Sequence, residues 1–307
     1  MKPFTIAIHG GAGTISPDSM TAEKEQLYLR GLEQALSAGH AVLKENGSAM
    51  DAVMAAVVQL EDNPLFNAGR GSVFTHEGLH EMDAAIMDGN SGNAGAVAGV
   101  KSVRNPIVLA RLVMEKTEHV MLHGNGAEEL AKLHHLPFES PEYFYDAYRY
   151  EQWQSIRDTE TTQLDHSKNK KFGTVGAVAL DVHGNVAAAT STGGMTNKRF
   201  SRIGDSPIIG AGTYAANHTC AVSCTGHGEY FIRSVVAYDV SCLMEYKGLS
   251  IEEACRTVVM EKLVKTGGEG GLIAVDKTGI PQLVFNSEGM YRGYQINHEM
   301  PFTAIYR

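Results

Sequence analysis

Apolar and polar positions alternate with two different rhythms along the chain, and a polar interval separates them. Phe4 to Ile8 reads as a short strand that runs into His9-Gly10-Gly11-Ala12-Gly13. A polar stretch with one apolar stripe then predicts a helix over about 20–45. Ser48 stands where an N-cap is needed. Behind it Ala49, Ala52, Val53, Ala56, Val57 and Leu60 recur at helical spacing, and Asn63-Pro64 ends the run. Strand-like runs near 72–76, 81–88 and 94–100 follow, and helical patterns return at about 105–117, 125–134 and 140–156.

Residues 157–173 interrupt this order. Between Asp158 and Lys171 only Leu164 is large and apolar, which predicts a solvated linker. Beyond it, Thr174–Leu180 and Val186–Ser191 flank the turn Asp181–Asn185 and predict a hairpin. A strand near 219–225, helices at about 229–246 and 250–265, and a last hairpin at Leu272–Val275 and Gln282–Phe285 complete the pattern. Hairpins among helices imply an α+β fold with mainly antiparallel sheets. A four-layer αββα sandwich fits this order, and so does a simpler α+β packing.

The chain has 307 residues, of which 43% are apolar and 20% charged, enough to bury a sizeable core in one or two domains. The net charge of −9 comes with no Lys/Arg-rich run, so neither nucleic acid nor an anionic membrane is an expected partner. No apolar run approaches the ~20 residues of a membrane span. The apolar core of the first ten residues is too short for a signal peptide, and the expected location is the cytoplasm. Cys220, Cys224, Cys242 and Cys255 form no Cys-x-x-Cys pair and read as small apolar side chains.

His76-Glu77-Gly78-Leu79-His80 matches the zinc-peptidase pattern, whose two histidines must share one helix face. Gly78 and the strand-like flanks predict a surface turn instead. Gly173-Thr174 is more informative. A Thr that opens a strand is ordinary by itself. This one follows a releasable linker, and Gly173 leaves its own carbonyl sterically open. Hydroxyl and glycine clusters, Ala189-Thr190-Ser191-Thr192-Gly193-Gly194 and Ser223-Cys224-Thr225-Gly226-His227-Gly228, end two predicted strands, where loops present donors to a pocket. Arg202 and Asp205 lie between them. A guanidinium and a carboxylate three residues apart suit the carboxylate and ammonium of an amino acid, or form a surface ion pair.

Taken together, these segments resemble the plant-type L-asparaginase/isoaspartyl peptidase family of N-terminal-nucleophile hydrolases. The resemblance rests on His9-Gly10-Gly11-Ala12-Gly13, Pro64-Leu65-Phe66-Asn67-Ala68-Gly69, Met87-Asp88-Gly89, Gly173-Thr174-Val175-Gly176, Thr190-Ser191-Thr192-Gly193-Gly194-Met195-Thr196-Asn197-Lys198, Gly204-Asp205-Ser206-Pro207 and Thr225-Gly226. It implies the four-layer fold and cleavage in cis between Gly173 and Thr174. An α piece, residues 1–173, and a β piece, residues 174–307, would result. It implies that Thr174 supplies a hydroxyl nucleophile and a free α-amine base, the latter with a reference pKa of ~7.7–8.0. The implied roles continue with Thr192 tuning that hydroxyl, Thr225 and Gly226 as oxyanion donors, and Arg202, Asp205 and Gly228 holding an aspartyl head group beside Asn67. The carbonyls of Leu60, Glu61, Asn63, Phe66, Ala68 and Arg70 would face a structural sodium or potassium ion, unless the loop is a plain helix-ending turn. No organic cofactor is implied.

The implied substrates are β-aspartyl dipeptides and L-asparagine, and the implied assembly is a dimer of αβ units. Lys198-Arg199-Phe200-Ser201 and His227 depart from the family pattern and bear on substrate preference. Three rivals are a glycosylasparaginase, a zinc peptidase through His76 and His80, and a binding module that never cleaves itself.

Overall fold

The computed structural model describes residues 2–158 and 173–307. Most of the interval expected to be a linker, residues 159–172, therefore lies outside the described residues. The N-terminal part comprises β1 (Thr5–Gly13), α1 (Ala22–Lys44), α2 (Ala49–Asp62), β2 (Met82–Asp88), β3 (Ala94–Val100), α3 (Pro106–Lys116), β4 (Met121–His123), α4 (Gly124–Leu133), α5 (Pro141–Phe144) and α6 (Ala147–Gln154). The C-terminal part comprises β5 (Thr174–Leu180), β6 (Val186–Thr192), β7 (Thr213–Ala215), β8 (Cys220–Gly226), α7 (Gly228–Ser234), α8 (Val236–Lys247), α9 (Ile251–Arg256), β9 (Gly270–Asp276), β10 (Gln282–Phe285), β11 (Gly289–Ile296) and β12 (Phe302–Tyr306).

The strands form an eight-stranded sheet, β12-β11-β1-β5-β6-β2-β3-β4, and a four-stranded sheet, β10-β9-β8-β7. Every pairing is antiparallel except β3 with β4. The expected mainly antiparallel α+β architecture is thus observed. Side-chain alternation explains the packing. Ile6, Ile8, Val175, Ala177, Ala179, Ala187 and Ala189 pack in one apolar cluster with residues of α1, α2 and α3. Their alternating neighbours Ala7, Val178, Leu180, Val186 and Ala188 pack with Ala221, Ile273 and Val275 of the smaller sheet. Cys220, Val222, Cys224, Leu272 and Ala274 join a third cluster with α7, α8 and α9. β5 and β6 are buried along their full length, and their small Ala, Val, Gly and Thr side chains suit strands covered on both faces.

Local signals place the early helices. Thr21 caps α1 by accepting from the Lys24 amide, and Ser48 caps α2 by accepting from the Asp51 amide at 3.1 Å. Other expectations need correction. No strand forms over 72–76, where Thr75 makes only a bridge to Lys198. The helix expected over 140–156 breaks at Tyr145, and Asp146 restarts it by capping the Arg149 amide at 2.9 Å. The helix expected over 229–246 breaks at Val235, held in the left-handed region at φ 48°. After Arg256 the expected helix widens into a π-helical segment over Thr257–Leu263. Sequence reading missed β4, β7, β11 and β12. Two of these have three residues, too few to show a period, and Gly and Arg interrupt the apolar alternation of β11.

The segment His76–His80 is a turn around Gly78 at φ +75° and carries no helix, so its histidines share no helical face. It departs from a surface turn in one respect. His80 is buried, with its ring 4.4 Å from that of Phe74, whereas His76 bonds Asn197 Oδ1 at 3.0 Å. Among the described residues no group of three or more His, Cys, Asp or Glu is arranged to hold a metal ion. Cys220, Cys224 and Cys255 are buried and Cys242 is half-buried, all as free thiols. Among the described residues no helix is long and apolar enough to cross a membrane.

Candidate active site

Thr174 opens β5 directly opposite Thr192, the last residue of β6. Strand register therefore sets one hydroxyl against the other. Thr174 Oγ1 donates to Thr192 Oγ1 at 3.2 Å, and Thr192 Oγ1 donates to the Gly173 carbonyl at 3.1 Å. The Gly194 amide donates to Thr192 Oγ1 at 2.9 Å and fixes it further. One buried hydroxyl thus touches both the candidate nucleophile and the carbonyl that precedes it.

Asn67 closes this corner. Its Nδ2 donates to the Gly194 carbonyl at 2.7 Å, and its Oδ1 accepts from the Val73 amide at 3.0 Å. Its own carbonyl accepts from the Gly193 amide at 3.0 Å. A Cβ at Gly173 would collide with Asn67 Cβ, so the close approach requires glycine there.

β8 contributes from the smaller sheet. Thr225 Oγ1 accepts from the Ala12 amide at 3.2 Å, which leaves the hydroxyl proton to donate elsewhere. Gly226 follows at the strand end, and a Cβ on it would meet the Glu269 carbonyl at 2.5 Å. A second link was not assigned from the sequence: His9 Nδ1 bonds the Thr174 carbonyl at 2.9 Å and its Nε2 bonds Ser223 Oγ at 2.9 Å. Complete burial pushes the His9 imidazole down to about 3, so it is neutral at pH 7.

Arg202, Asp205 and Gly228 converge as a second cluster. A Cβ at Gly228 would lie 2.6 Å from Arg202 Nη2 and 2.9 Å from Asp205 Oδ1. Asp205 is buried, and its Oδ2 has no hydrogen-bond partner among the described residues. Burial raises its carboxyl to about 7, against the opposing pull of Arg202. Arg202 is not a simple partner of Asp205, as the sequence suggested. It forks onto Glu229, Nε to Oε1 at 2.8 Å and Nη2 to Oε2 at 2.9 Å. His227 Nε2 also lies 3.1 Å from Glu229 Oε2. Burial disfavours the Glu229 carboxylate, yet the hydrogen bonds from His227 and Arg202 win and hold it well below the usual range. Glu229 escaped notice because a helix-opening Glu is ordinary.

The two departures from the family pattern fall beside this cluster. Lys198 is buried and donates from Nζ to the Glu81 carbonyl at 2.7 Å. Phe200 points out, 96% exposed, and Asn197, Phe200 and Ser201 all take left-handed backbone angles.

The segment from the last turn of α2 into the following loop carries the other candidates, Leu60, Glu61, Asn63, Phe66, Ala68 and Arg70. Its carbonyls crowd toward two glycines. A Cβ at Gly69 (φ +51°) would lie 2.5 Å from the Glu61 oxygen, and one at Gly71 would lie 2.7 Å from that of Pro64 and collide with that of Phe66. Asn63, Phe66 and Ala68 carbonyls accept local amides at 3.0–3.2 Å, with one lone pair each to spare. The Glu61 side chain turns inward instead. Its Oε1 accepts from Ser191 Oγ at 2.6 Å and from the Ile107 amide at 3.0 Å, and burial pushes the carboxyl up to about 8.

A family model and several known proteins are similar to this chain along most of its length. A family model described as asparaginase matches residues 1–305. The isoaspartyl peptidase of Escherichia coli (strain K12) is 54% identical over 312 residues, covering 100% of this chain and 97% of that protein. The isoaspartyl peptidase of Salmonella typhimurium is 53% identical, with full coverage of both. The isoaspartyl peptidase/L-asparaginase of Homo sapiens is 45% identical over 279 residues, 91% of this chain and 88% of that one.

Proposed function

The chain belongs to the asparaginase family and is a hydrolase, and from that premise we propose a self-cleaving enzyme that releases L-aspartate from β-aspartyl peptides and L-asparagine. The observation that carries this reading is the Thr192 hydroxyl, which accepts from Thr174 and donates to the Gly173 carbonyl. In maturation, Thr174 Oγ adds to the Gly173 carbonyl carbon while its proton passes toward Thr192. The C–N bond breaks, and an ester on Thr174 replaces the amide as the nitrogen takes up a proton. Water then hydrolyses the ester, leaving a Gly173 carboxylate and a Thr174 α-amine. An internal Thr has no such amine, so cleavage supplies the general base.

In turnover, the freed amine takes the Thr174 hydroxyl proton as the oxygen attacks the β-carbonyl of the substrate. Thr225 Oγ and the Gly226 amide would carry the oxyanion, each donor contributing ~2.7–4 kcal/mol. The leaving amine takes the proton, and water releases aspartate from the acyl-enzyme. Arg202 suits the substrate carboxylate, and Asp205, with Oδ2 unengaged, suits its ammonium. The absent side chain at Gly228 gives both room. Asn67 packs against Gly173 and holds the Gly193-Gly194 loop beside the head-group site.

The same reading includes a four-layer αββα order, supported by the three apolar clusters with small strand residues between two sheets. It includes α and β pieces joined before cleavage by the linker, a dimer of αβ units, and a cytoplasmic location, which the four free thiols favour. It also includes a sodium or potassium ion held by the carbonyls of Leu60, Glu61, Asn63, Phe66, Ala68 and Arg70, and the crowding of the Glu61 and Phe66 oxygens around Gly69 and Gly71 supports this part of the reading. Such an ion would brace the loop that carries Asn67.

Intact-mass spectra, fresh and after incubation, test the proposal together with an assay on a β-aspartyl dipeptide, L-asparagine and an N-glycosyl-asparagine. Two pieces of 173 and 134 residues with aspartate release from the first two compounds are expected. A persistent full-length mass without hydrolysis would overturn it.

A further inference from the structure

We infer that His9 is a positioning residue that fixes the Thr174 carbonyl, and with it the nucleophile, through a chain of buried hydroxyls from Thr213, Thr190 and Ser223. The inference rests on the functional reading above and concerns a residue outside the reacting groups. A backbone carbonyl only accepts, so His9 Nδ1 carries the proton toward Thr174 O at 2.9 Å. His9 Nε2 must then accept, and Ser223 Oγ donates to it at 2.9 Å. Having spent its proton, Ser223 Oγ accepts from Thr190 Oγ1 at 2.7 Å. Thr190 in turn accepts from Thr213 Oγ1 at 2.7 Å. The competing acceptor for Thr190, the Gly212 carbonyl, is farther away at 3.3 Å. All four side chains are fully buried. Thr213 Oγ1 also lies 3.0 Å from the Ser206 carbonyl, so the shortest bonds order the protons from Thr190 through Ser223 to His9, in a chain that alternates between the two sheets.

The backbone is shaped to admit this chain. His9 lies opposite Gly176 in the β1–β5 register, two residues from Thr174. A Cβ at Gly176 would lie 2.5 Å from His9 Nε2 and collide with Ser223 Oγ. The missing side chain is the opening through which the imidazole reaches Ser223. A neutral ring is required, because a protonated Nε2 has no lone pair for Ser223, and burial keeps it neutral.

The placement matters because of what cleavage removes. Thr192 holds the Gly173 carbonyl, on the side of the bond that departs. His9 holds the Thr174 carbonyl, on the side that stays. After the tether breaks, the His9 bond restrains the new terminal residue at an oxygen two bonds from its Cα. A displacement of about 1 Å at a reacting group costs on the order of 10²-fold in rate.

The test uses the full purified chain, with His9→Leu, His9→Asn and Ser223→Ala compared with wild type for cleavage by intact mass and for kcat and KM on a β-aspartyl dipeptide. His9→Leu is expected to lower kcat about 100-fold and leave KM within about twofold, because the head-group cluster is untouched. His9→Asn keeps an N–H donor and is expected to recover about tenfold of that loss. Nitrogen-15 histidine spectra of the wild type should show one neutral ring protonated at Nδ1, and Ser223→Ala should weaken that preference and lower kcat roughly tenfold.

An active wild type beside an equally active His9→Leu overturns the inference alone. So does a loss confined to KM, or an Asn variant no better than Leu. Should His9→Leu not fold, Ser223→Ala with unchanged kcat and an unchanged ring tautomer overturns it. A wild type that hydrolyses nothing overturns the functional reading first, and the inference with it.

Discussion

The corner around Thr174 and the cluster around Arg202 are built on opposite principles. The first consists of strand residues whose hydroxyls and one imidazole are all neutral, linked by bonds of 2.7–3.2 Å set by sheet register. The second consists of loop and helix-opening residues whose side chains beside Gly228 are ionisable, a guanidinium between carboxylates with a histidine at the rim. A reacting hydroxyl must keep one geometry through two successive reactions, and a buried sheet supplies that rigidity with neutral side chains. A head-group pocket must exchange water for a zwitterion, and charged side chains on loops provide that differential. Substitutions in the first cluster should therefore change rate, and those in the second should change affinity and pH response.

The largest separation should come from Thr174→Ala. It removes the nucleophile and the Oγ needed for cleavage, and both intact-mass conversion and hydrolysis should fall by a factor on the order of 10⁴ or more. A variant that still cleaved at Gly173 would break the neutral-hydroxyl side of the comparison. Thr192→Ala comes next, with an expected loss of roughly 10²–10³ in the cleavage rate, since one hydroxyl serves both the nucleophile and the carbonyl. Thr192→Ser should restore most of it in the same time course. Equal defects in both variants would mean that packing of the Thr192 methyl, not its oxygen, matters.

How legible each cluster was in the sequence follows the same division. Gly173 and Thr174 stood out because they follow the polar linker and open a predicted strand, and Thr192 lay in a hydroxyl and glycine cluster whose role the family resemblance implied; strand register brings them together. Ser48 and the apolar stripes gave the early helices for equally local reasons. Glu229 was invisible because its partner Arg202 lies 27 positions away on another loop. His9 belonged to a recognised motif, but its partner Ser223 is 214 positions distant across two sheets. Breaks at Val235 and Tyr145 were also hidden, since apolar periodicity continues through a backbone kink. Local chemistry shows in local pattern, whereas contacts between sheets need topology.

On the charged side, Arg202→Lys should raise KM about 10- to 100-fold on a β-aspartyl dipeptide, with kcat less affected. Lysine keeps the charge but loses the fork that Glu229 holds at 2.8 and 2.9 Å. A fall in kcat at unchanged KM would place Arg202 with the reacting groups and erase the distinction drawn here.

The smallest effect concerns stability and is the sharpest test of why Asp205 is ionisable at all. Burial raises its carboxyl from 3.8 to about 7 in the folded chain, so the folded state binds that proton more tightly than the unfolded state does. Below the unfolded value both states are protonated and the group has no effect. As pH rises through the interval, the folded chain must either keep the proton or bury a charge, and stability falls until about pH 7, where the full penalty is reached. Asp205→Asn removes this dependence. Without substrate, its melting temperature should exceed that of wild type by several degrees at pH 8, about 1.5 °C for each kcal/mol recovered, and by much less at pH 5. The same substitution should weaken binding of an aspartyl ammonium. A variant more stable at high pH yet poorer at binding is what a pocket kept charged for its ligand requires. An Asp205→Asn protein less stable than wild type at pH 8 would instead make the carboxylate a structural partner of Arg202, and the contrast between the two clusters would fail there.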